Sequence, residues 1–209
     1  MVQIILADDH TIVREGLKQI LTECPDFKIV GEAANGQSLL EQVREKGCDV
    51  VLLDIAMPGR NGLEILKQLK SEKPNLKVLI LSMHPEDQYA VRAITAGASG
   101  YLTKVTASDR LIEAIKTVHS GRKYVSPTLA ERLAETLTEE VQGPPHELLS
   151  DREYEVLLLL ARGKAPSAIA SEMFLSVKTV STYRSRILEK LNLKTNTDLV
   201  RYVLDHNLL

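Results

Sequence analysis

Two cysteines, Cys24 and Cys48, are all that 209 residues contain, and they stand at neither metal-ligand nor redox spacing. A disulfide framework and a cysteine-built metal centre are excluded, and two packing thiols suit a reducing compartment. No apolar stretch approaches the ~20 residues that a membrane span needs, and the N-terminus lacks a basic region followed by a signal-type hydrophobic segment. The expectation is a cytoplasmic chain with no membrane partner. No repeat of solenoid period and no low-complexity tract is present. The five histidines, His10, His84, His119, His146 and His206, include no pair at a metal spacing, so each reads as a surface residue. His84 is set apart only by standing two residues past Ser82.

With 44% hydrophobic and 26% charged residues, the chain can bury a substantial core and is long enough for two domains. Its charge divides unevenly. Residues 149–209 carry 9 Lys+Arg against 7 Asp+Glu, a net of +2, which leaves −4 of the whole-chain −2 on residues 1–148. The C-terminal part is the nucleic-acid candidate, although a solvated helical surface could produce the same small excess.

Over the first 120 residues, short Val/Ile/Leu runs at 2–6, 27–30, 50–53, 78–81 and 101–102 alternate with helical patterns at 12–21, 39–43, 63–69, 89–94 and 111–118. The alternation predicts an α/β domain with a doubly wound, five-stranded parallel sheet. In such sheets the reactive crevice lies outside the carboxyl ends of the strands. Just past four of those ends stand Asp8-Asp9, Asp54, Ser82 and Lys104.

Three carboxylates at one rim repel, so either one stays protonated or a divalent cation neutralises them. Mg2+ fits, because it takes one or two protein carboxylates, keeps waters and completes its shell with phosphate oxygens. Phosphoryl chemistry follows. Asp54 is the candidate nucleophile, since a carboxylate can carry a covalent acyl phosphate. Asp8 and Asp9 would hold the metal, and Lys104 with the Ser82 hydroxyl would hold the peripheral phosphoryl oxygens. Any one of these carboxylates alone would more often be solvated or cap a helix; all five positions together are improbable on that basis.

The segments Leu6-Ala7-Asp8-Asp9-His10, Leu53-Asp54-Ile55-Ala56-Met57-Pro58, Leu81-Ser82-Met83-His84 and Gly100-Tyr101-Leu102-Thr103-Lys104 resemble the receiver domain of two-component response regulators. The resemblance implies that Asp54 takes a phosphoryl group from a sensor histidine kinase. It also implies that Asp8, Asp9, Asp54 and the Ala56 carbonyl coordinate Mg2+, with Ser82 and Tyr101 as a switch pair in which Tyr101 turns inward. Val105 departs from the pattern, standing where many receivers place a proline after a cis bond; before a non-proline residue that bond costs ~2.5–4 kcal/mol. Ala56 offers no side chain to orient water, and the apolar Met83 could cover the phosphoryl group, which together predict slow loss of phosphate. An imidazole at His84 would oppose this.

Gly121 ends the fifth helical pattern, and residues 122–147 read as a linker holding a short amphipathic helix behind Pro127, with Leu129, Leu133 and Leu137 on one side. Gln142-Gly143-Pro144-Pro145 breaks it. From 148 to 209 the patterns are helical throughout. Ser150-Asp151-Arg152-Glu153 is a capping box, Gly163 a stop, Pro166 a first-turn residue, and Ser176 the cap of a third helix after a Phe174-Leu175 turn. That spacing is a helix-turn-helix.

At 100° per residue the third helix places Val177, Val180, Tyr183, Ile187 and Leu191 on one side. Lys178, Thr182, Ser185 and Arg186 face the other, with Thr179 and Ser181 at its margins. Arg184 falls nearer the apolar side, where its stem can pack while its head reaches a phosphate. A face of short hydroxyls and cations can enter the major groove.

Leu149-Ser150-Asp151-Arg152-Glu153-Tyr154, Leu175-Ser176-Val177-Lys178-Thr179-Val180 and Ile187-Leu188-Glu189-Lys190-Leu191 resemble the LuxR-type helix-turn-helix of NarL/FixJ response regulators. The resemblance implies a four-helix, all-α domain whose third helix reads promoter DNA. Its last helix, at 197–206, would form a homodimer through Leu199, Val200 and Val203. Ser181 and Tyr183 stand where lysine and histidine are frequent, which should weaken nonspecific affinity. The expected function is a phosphorylation-controlled transcriptional regulator rather than an enzyme. A phosphohydrolase would need an acid/base aspartate at Ala56, and a constitutive DNA binder would not need the intact acidic set.

Overall fold

The apolar runs fold as β1 (Val2–Ala7), β2 (Phe27–Ala33), β3 (Val50–Asp54), β4 (Lys77–Ser82) and β5 (Gly100–Thr103), one all-parallel sheet in the order β2-β1-β3-β4-β5. Between them run α1 (Thr11–Thr22), α2 (Gly36–Lys46), α3 (Gly62–Glu72), α4 (Glu86–Thr95) and α5 (Lys104–His119). This is a computed structural model; it describes residues 1–57, 60–83, 86–138 and 144–209, in two compact units, Met1–Leu133 and Ala134–Leu209. The middle strands β1, β3 and β4 are buried on both faces, Ile4, Val51, Leu53 and Ile80 having no exposed surface. That double burial is why they read as continuous apolar runs instead of alternating ones. β2 and β3 leave β1 on opposite sides, so the ends of β1 and β3 open at the crevice where ligands bind in sheets of this kind.

β2 runs three residues past its expected end. Its register against β1 slips at Val30, and beyond the slip Glu32 is held by Lys18 at 3.0 Å and Arg14 at 3.4 Å, both on α1. The apolar run stops at Val30, but the pairing with β1 continues through Ala33.

Residues beyond α5, expected to begin a linker, extend the first unit. Gly121 (φ +89) turns the chain back, the Tyr124 N–H donates to Ser99 O at 2.9 Å, and Tyr124 O accepts from the Tyr101 N–H at 3.2 Å. Helix α6 (Pro127–Thr138) follows, with Leu129 buried and Leu133 half-buried. The Leu137 side chain, His84 and the expected break at Gln142-Gly143 lie outside the described residues.

Past the end of α6, the second unit holds a 3-10 turn (Pro145–Leu148), then α7 (Asp151–Ala161), α8 (Pro166–Glu172), α9 (Val177–Lys190) and α10 (Asn196–Asp205), the expected four helices. The Ser150–Glu153 capping box is formed, and Glu153 also meets Lys190 of α9 at 2.6 Å. His146 in the 3-10 turn belongs to this packing too. Its N–H donates to the Tyr202 hydroxyl at 3.2 Å, and its ring stands 5.5 Å from that of His206.

Burial favours the neutral Glu153 carboxyl, but the Lys190 ammonium and the Ser150 N–H and hydroxyl outweigh it and hold the group below the ordinary glutamate range. A depressed folded value means that its stabilisation is fully present above the unfolded value and is lost as pH falls through the folded one. Glu153→Gln should therefore cost about 1–2 kcal/mol at neutral pH, with a gap to wild type that closes in acid below the ordinary glutamate value. Urea unfolding of a fragment beginning at Pro144, followed against pH, checks this; a gap independent of pH would refute it.

Candidate functional site: an acidic pocket and a polar helix face

β3 ends on Asp54 and β1 delivers Asp8 beside it, the two side chains 1% and 2% exposed. Lys104, the first residue of α5, places its ammonium 2.7 Å from Asp54 Oδ2 and 2.6 Å from Asp8 Oδ2. The Lys104–Val105 bond is trans, as are all peptide bonds among the described residues. Asp54 Oδ1 accepts the Ala56 N–H at 3.0 Å, and Asp8 Oδ1 accepts the His10 N–H at 2.8 Å. Burial pushes the Asp54 carboxyl above the usual aspartate range, with Lys104 acting against it. For Lys104, burial favours the neutral amine, but Asp54 and Asp8 prevail and hold it above the ordinary lysine value.

Two carboxylate oxygens remain without a well-aligned donor. Among the described residues, Asp8 Oδ2 has its close ion pair with Lys104, and Asp9 Oδ1 lies 2.9 Å from the His10 ring. Ligand atoms of Asp8, Asp9, His10 and Asp54 all fall within 4.8 Å of one another. Carboxylate oxygens held only by close ion pairs, gathered at this spacing, suit a hard divalent cation. His10, expected to be a surface residue, is exposed, with its Nδ1 2.9 Å from Asp9 Oδ1 and 3.3 Å from Asp8 Oδ1.

Ser82 is fully buried at the end of β4, opposite Thr103 in the β4–β5 ladder. Tyr101, on β5, has no exposed surface. Met83 is 66% exposed.

On α9, Lys178, Ser181, Thr182, Ser185 and Arg186 are exposed, and Thr179 and Arg184 are half-buried. Thr182 and Ser185 donate their hydroxyls back to the carbonyls of Lys178 and Ser181 at 3.0 and 3.1 Å, so their lone pairs face outward as acceptors. Arg184 donates to Asn196 Oδ1 at 2.6 Å, an internal tie that the expected phosphate contact must share. The helix wheel needs two corrections. Val177 is 49% exposed because it opens the first turn, and Tyr183 lines a shallow recess with Ser176, Lys178, Thr179, Thr182 and Arg186. Angle alone did not show which side chains neighbouring helices would cover.

The dimer residues need a larger correction. Leu199 and Val203 have no exposed surface, so they belong to the core of the second unit and not to an interface. Among the apolar residues of α10, Val200 is half-buried and Leu204 is 57% exposed.

Residues 4–116 match the response regulator receiver domain, and residues 147–203 match the bacterial regulatory proteins of the luxR family. Response regulator GacA of Pseudomonas viridiflava is 35% identical over 210 residues, covering 100% of this chain and 98% of the relative. Response regulator UvrY of Escherichia coli is 34% identical over 209 residues, covering 100% and 96%. Among solved structures, RcsB from Salmonella enterica serovar Typhimurium, bound to promoter rprA in the presence of a phosphomimetic, is similar with a TM-score of 0.65 and 26% identity, covering 96% and 97%. Strand order, acidic pocket, helix-turn-helix and these likenesses agree: the chain belongs to the NarL/FixJ family of two-component response regulators and pairs a receiver domain with a LuxR-type DNA-binding domain.

Proposed function

We propose that Asp54 accepts a phosphoryl group from a sensor histidine kinase and that phosphorylation controls binding of promoter DNA by α9. The observation that carries this is the buried Asp54 carboxylate, bridged to Asp8 by one ammonium, with oxygens of Asp8 and Asp9 left without aligned donors. One Asp54 oxygen attacks phosphorus as the phosphorus–nitrogen bond of the kinase's phosphohistidine breaks. Lys104 favours the ionised carboxylate that this attack requires, and with the Ser82 hydroxyl it would hold the peripheral phosphoryl oxygens. Asp8, Asp9, Asp54 and the Ala56 carbonyl would hold Mg2+, which when bound supplies positive charge against the carboxylates and the phosphoryl oxygens. Ala56 has no side chain that could serve as acid or base, which favours a regulator over a phosphohydrolase.

Three exposed apolar residues, Ile12 (88%), Met83 (66%) and Val105 (77%), follow the carboxyl ends of β1, β4 and β5. Exposed apolar side chains at that end of the sheet suit a protein partner better than a small solute. For a homodimer, Val200 and Leu204 stand four residues apart on one face of α10 and are the remaining apolar candidates. The RcsB likeness to a promoter-bound protein supports the DNA reading.

Incubation with Mg2+ and a small acyl phosphate should add one base-labile phosphoryl group per chain, and EDTA should prevent it. Labelling that survives EDTA would remove the metal from the reading. On DNA, Lys178→Ala should weaken binding to all sequences and shrink the salt slope by about one unit. Thr182→Ala should change preference where its outward lone pairs meet a base amino group. Binding isotherms at several salt concentrations separate the two, and unchanged binding by both variants would mean that another face reads DNA.

A further inference from the structure

We propose that the segment from Lys123 to Leu129 is a strap through which the receiver pocket controls the linker helix α6, with the Ser126–Glu86 hydrogen bond as the coupling contact. The inference rests on the reading of Asp54 as phosphoacceptor and goes beyond it by naming the route outward.

β5 is an edge strand, and an open edge invites pairing with any passing strand. Here the chain itself occupies part of it. Tyr124 makes a parallel bridge with Gly100, and the Lys123 ammonium donates to Ala98 O. The approach is so close that a Cβ on Gly100 would lie 2.7 Å from Tyr124 O and 2.8 Å from Tyr124 Cβ, so this strand position has room for the strap only as glycine. The edge of β5 is thus a built seat.

Two residues on, Ser126 uses its hydroxyl twice. Its oxygen accepts the Leu129 N–H at 3.1 Å, which caps α6 ahead of Pro127, and its proton goes to Glu86 Oε2 at 2.5 Å. Glu86 is the first residue of α4, four positions after Ser82. One hydroxyl therefore joins the N-terminus of α4 to the N-terminus of α6, while the Tyr124 bridge holds the strap to the sheet as a fixed point. When Ser82 engages a phosphoryl group on Asp54, the start of α4 follows from only four residues away. The Ser126–Glu86 bond then either carries α6 along or breaks; in both cases the first turn of α6 reports the change. Leu129, 2% exposed in the same turn, makes that turn part of the receiver's packing.

The test is hydrogen exchange of the α6 amides in the full chain, with and without Mg2+ and acetyl phosphate, beside the stoichiometry of phosphoryl label. Glu86→Ala removes the acceptor and leaves the Ser126 cap intact. Ser126→Asp keeps a capping oxygen but sets a like charge against Glu86. The expected result is full labelling in all three proteins, with a labelling-dependent change in α6 exchange in the wild type that is lost in both variants. The double variant should be no worse than either single one, because both remove the same contact. Labelled protein in which α6 exchange stays constant, or variants that keep the wild-type change, would overturn the strap while leaving Asp54 as phosphoacceptor. Wild type that takes no label at all would sink both readings together.

Discussion

Asp54→Asn should abolish phosphoryl incorporation from a small acyl phosphate in the presence of Mg2+. The amide is nearly isosteric and can still accept the Ala56 N–H now bonded at 3.0 Å, so the turn after β3 keeps its geometry. What disappears is the anionic oxygen that must attack phosphorus, together with half of the charge that binds Lys104. The ammonium retains Asp8 at 2.6 Å, and the neutral amide relieves part of the carboxylate repulsion in the buried cluster. A folded, unlabelled variant is the expected result, read by intact mass and by base-labile label. Stoichiometric labelling that persists at another carboxylate would dislodge Asp54 from its role.

Gly62→Ala should be the most damaging single methyl in the receiver. An added Cβ would sit 2.5 Å from Ile55 Cα and 2.9 Å from both Asp54 O and Ile55 O, all backbone atoms that cannot rotate aside. Relief requires moving either the start of α3 or the turn that carries Asp54, which the Gly62 N–H also ties by its 3.1 Å bond to Ile55 O. The expected cost is about 3 kcal/mol or more, the upper end of overpacking. Since a ~1 Å misplacement of a reacting group can cost ~100-fold in rate, labelling should fall as well. Gly16→Ala is the matched control: it lies within α1 with nothing inside 4 Å of the new methyl, and should stabilise by up to ~1 kcal/mol. Urea unfolding of the two variants should move in opposite directions; equal midpoints would refute the steric account.

Much of the pocket was legible in advance because it stands at strand ends, and strand ends are marked by where a buried apolar run stops. Asp54 follows a run buried on both faces, and Lys104 follows the end of β5 directly. Helix caps were equally local: Ser150, Pro166 and Ser176 announce their helices within four residues, which is the span over which a cap bonds. β2 was read short because its apolar run stops at Val30, whereas Gly31, Glu32 and Ala33 continue the ladder against Ile5, Leu6 and Ala7.

The remaining features depend on which surfaces meet. Leu199 and Val203 have the same apolar character as Leu204, yet two are wholly buried and one is 57% exposed. A helical pattern states that a face is apolar and not whether its own domain or a second chain covers it. Tyr183 fell on the apolar side of the α9 wheel, yet it is half-buried and lines a recess with Lys178, Thr182 and Arg186 of the polar side. His146 and His206 stand sixty positions apart in the chain and 5.5 Å apart in space. Tyr124 gave no strand signal at all, since its bridge needs only the room that Gly100 leaves. By itself the sequence determined the sheet, the caps and the acidic set, because periodicity and capping act over a few residues. The tertiary structure alone decided which apolar faces are core, which polar groups converge and where the strap lies, because those follow from contacts between segments that no local pattern records.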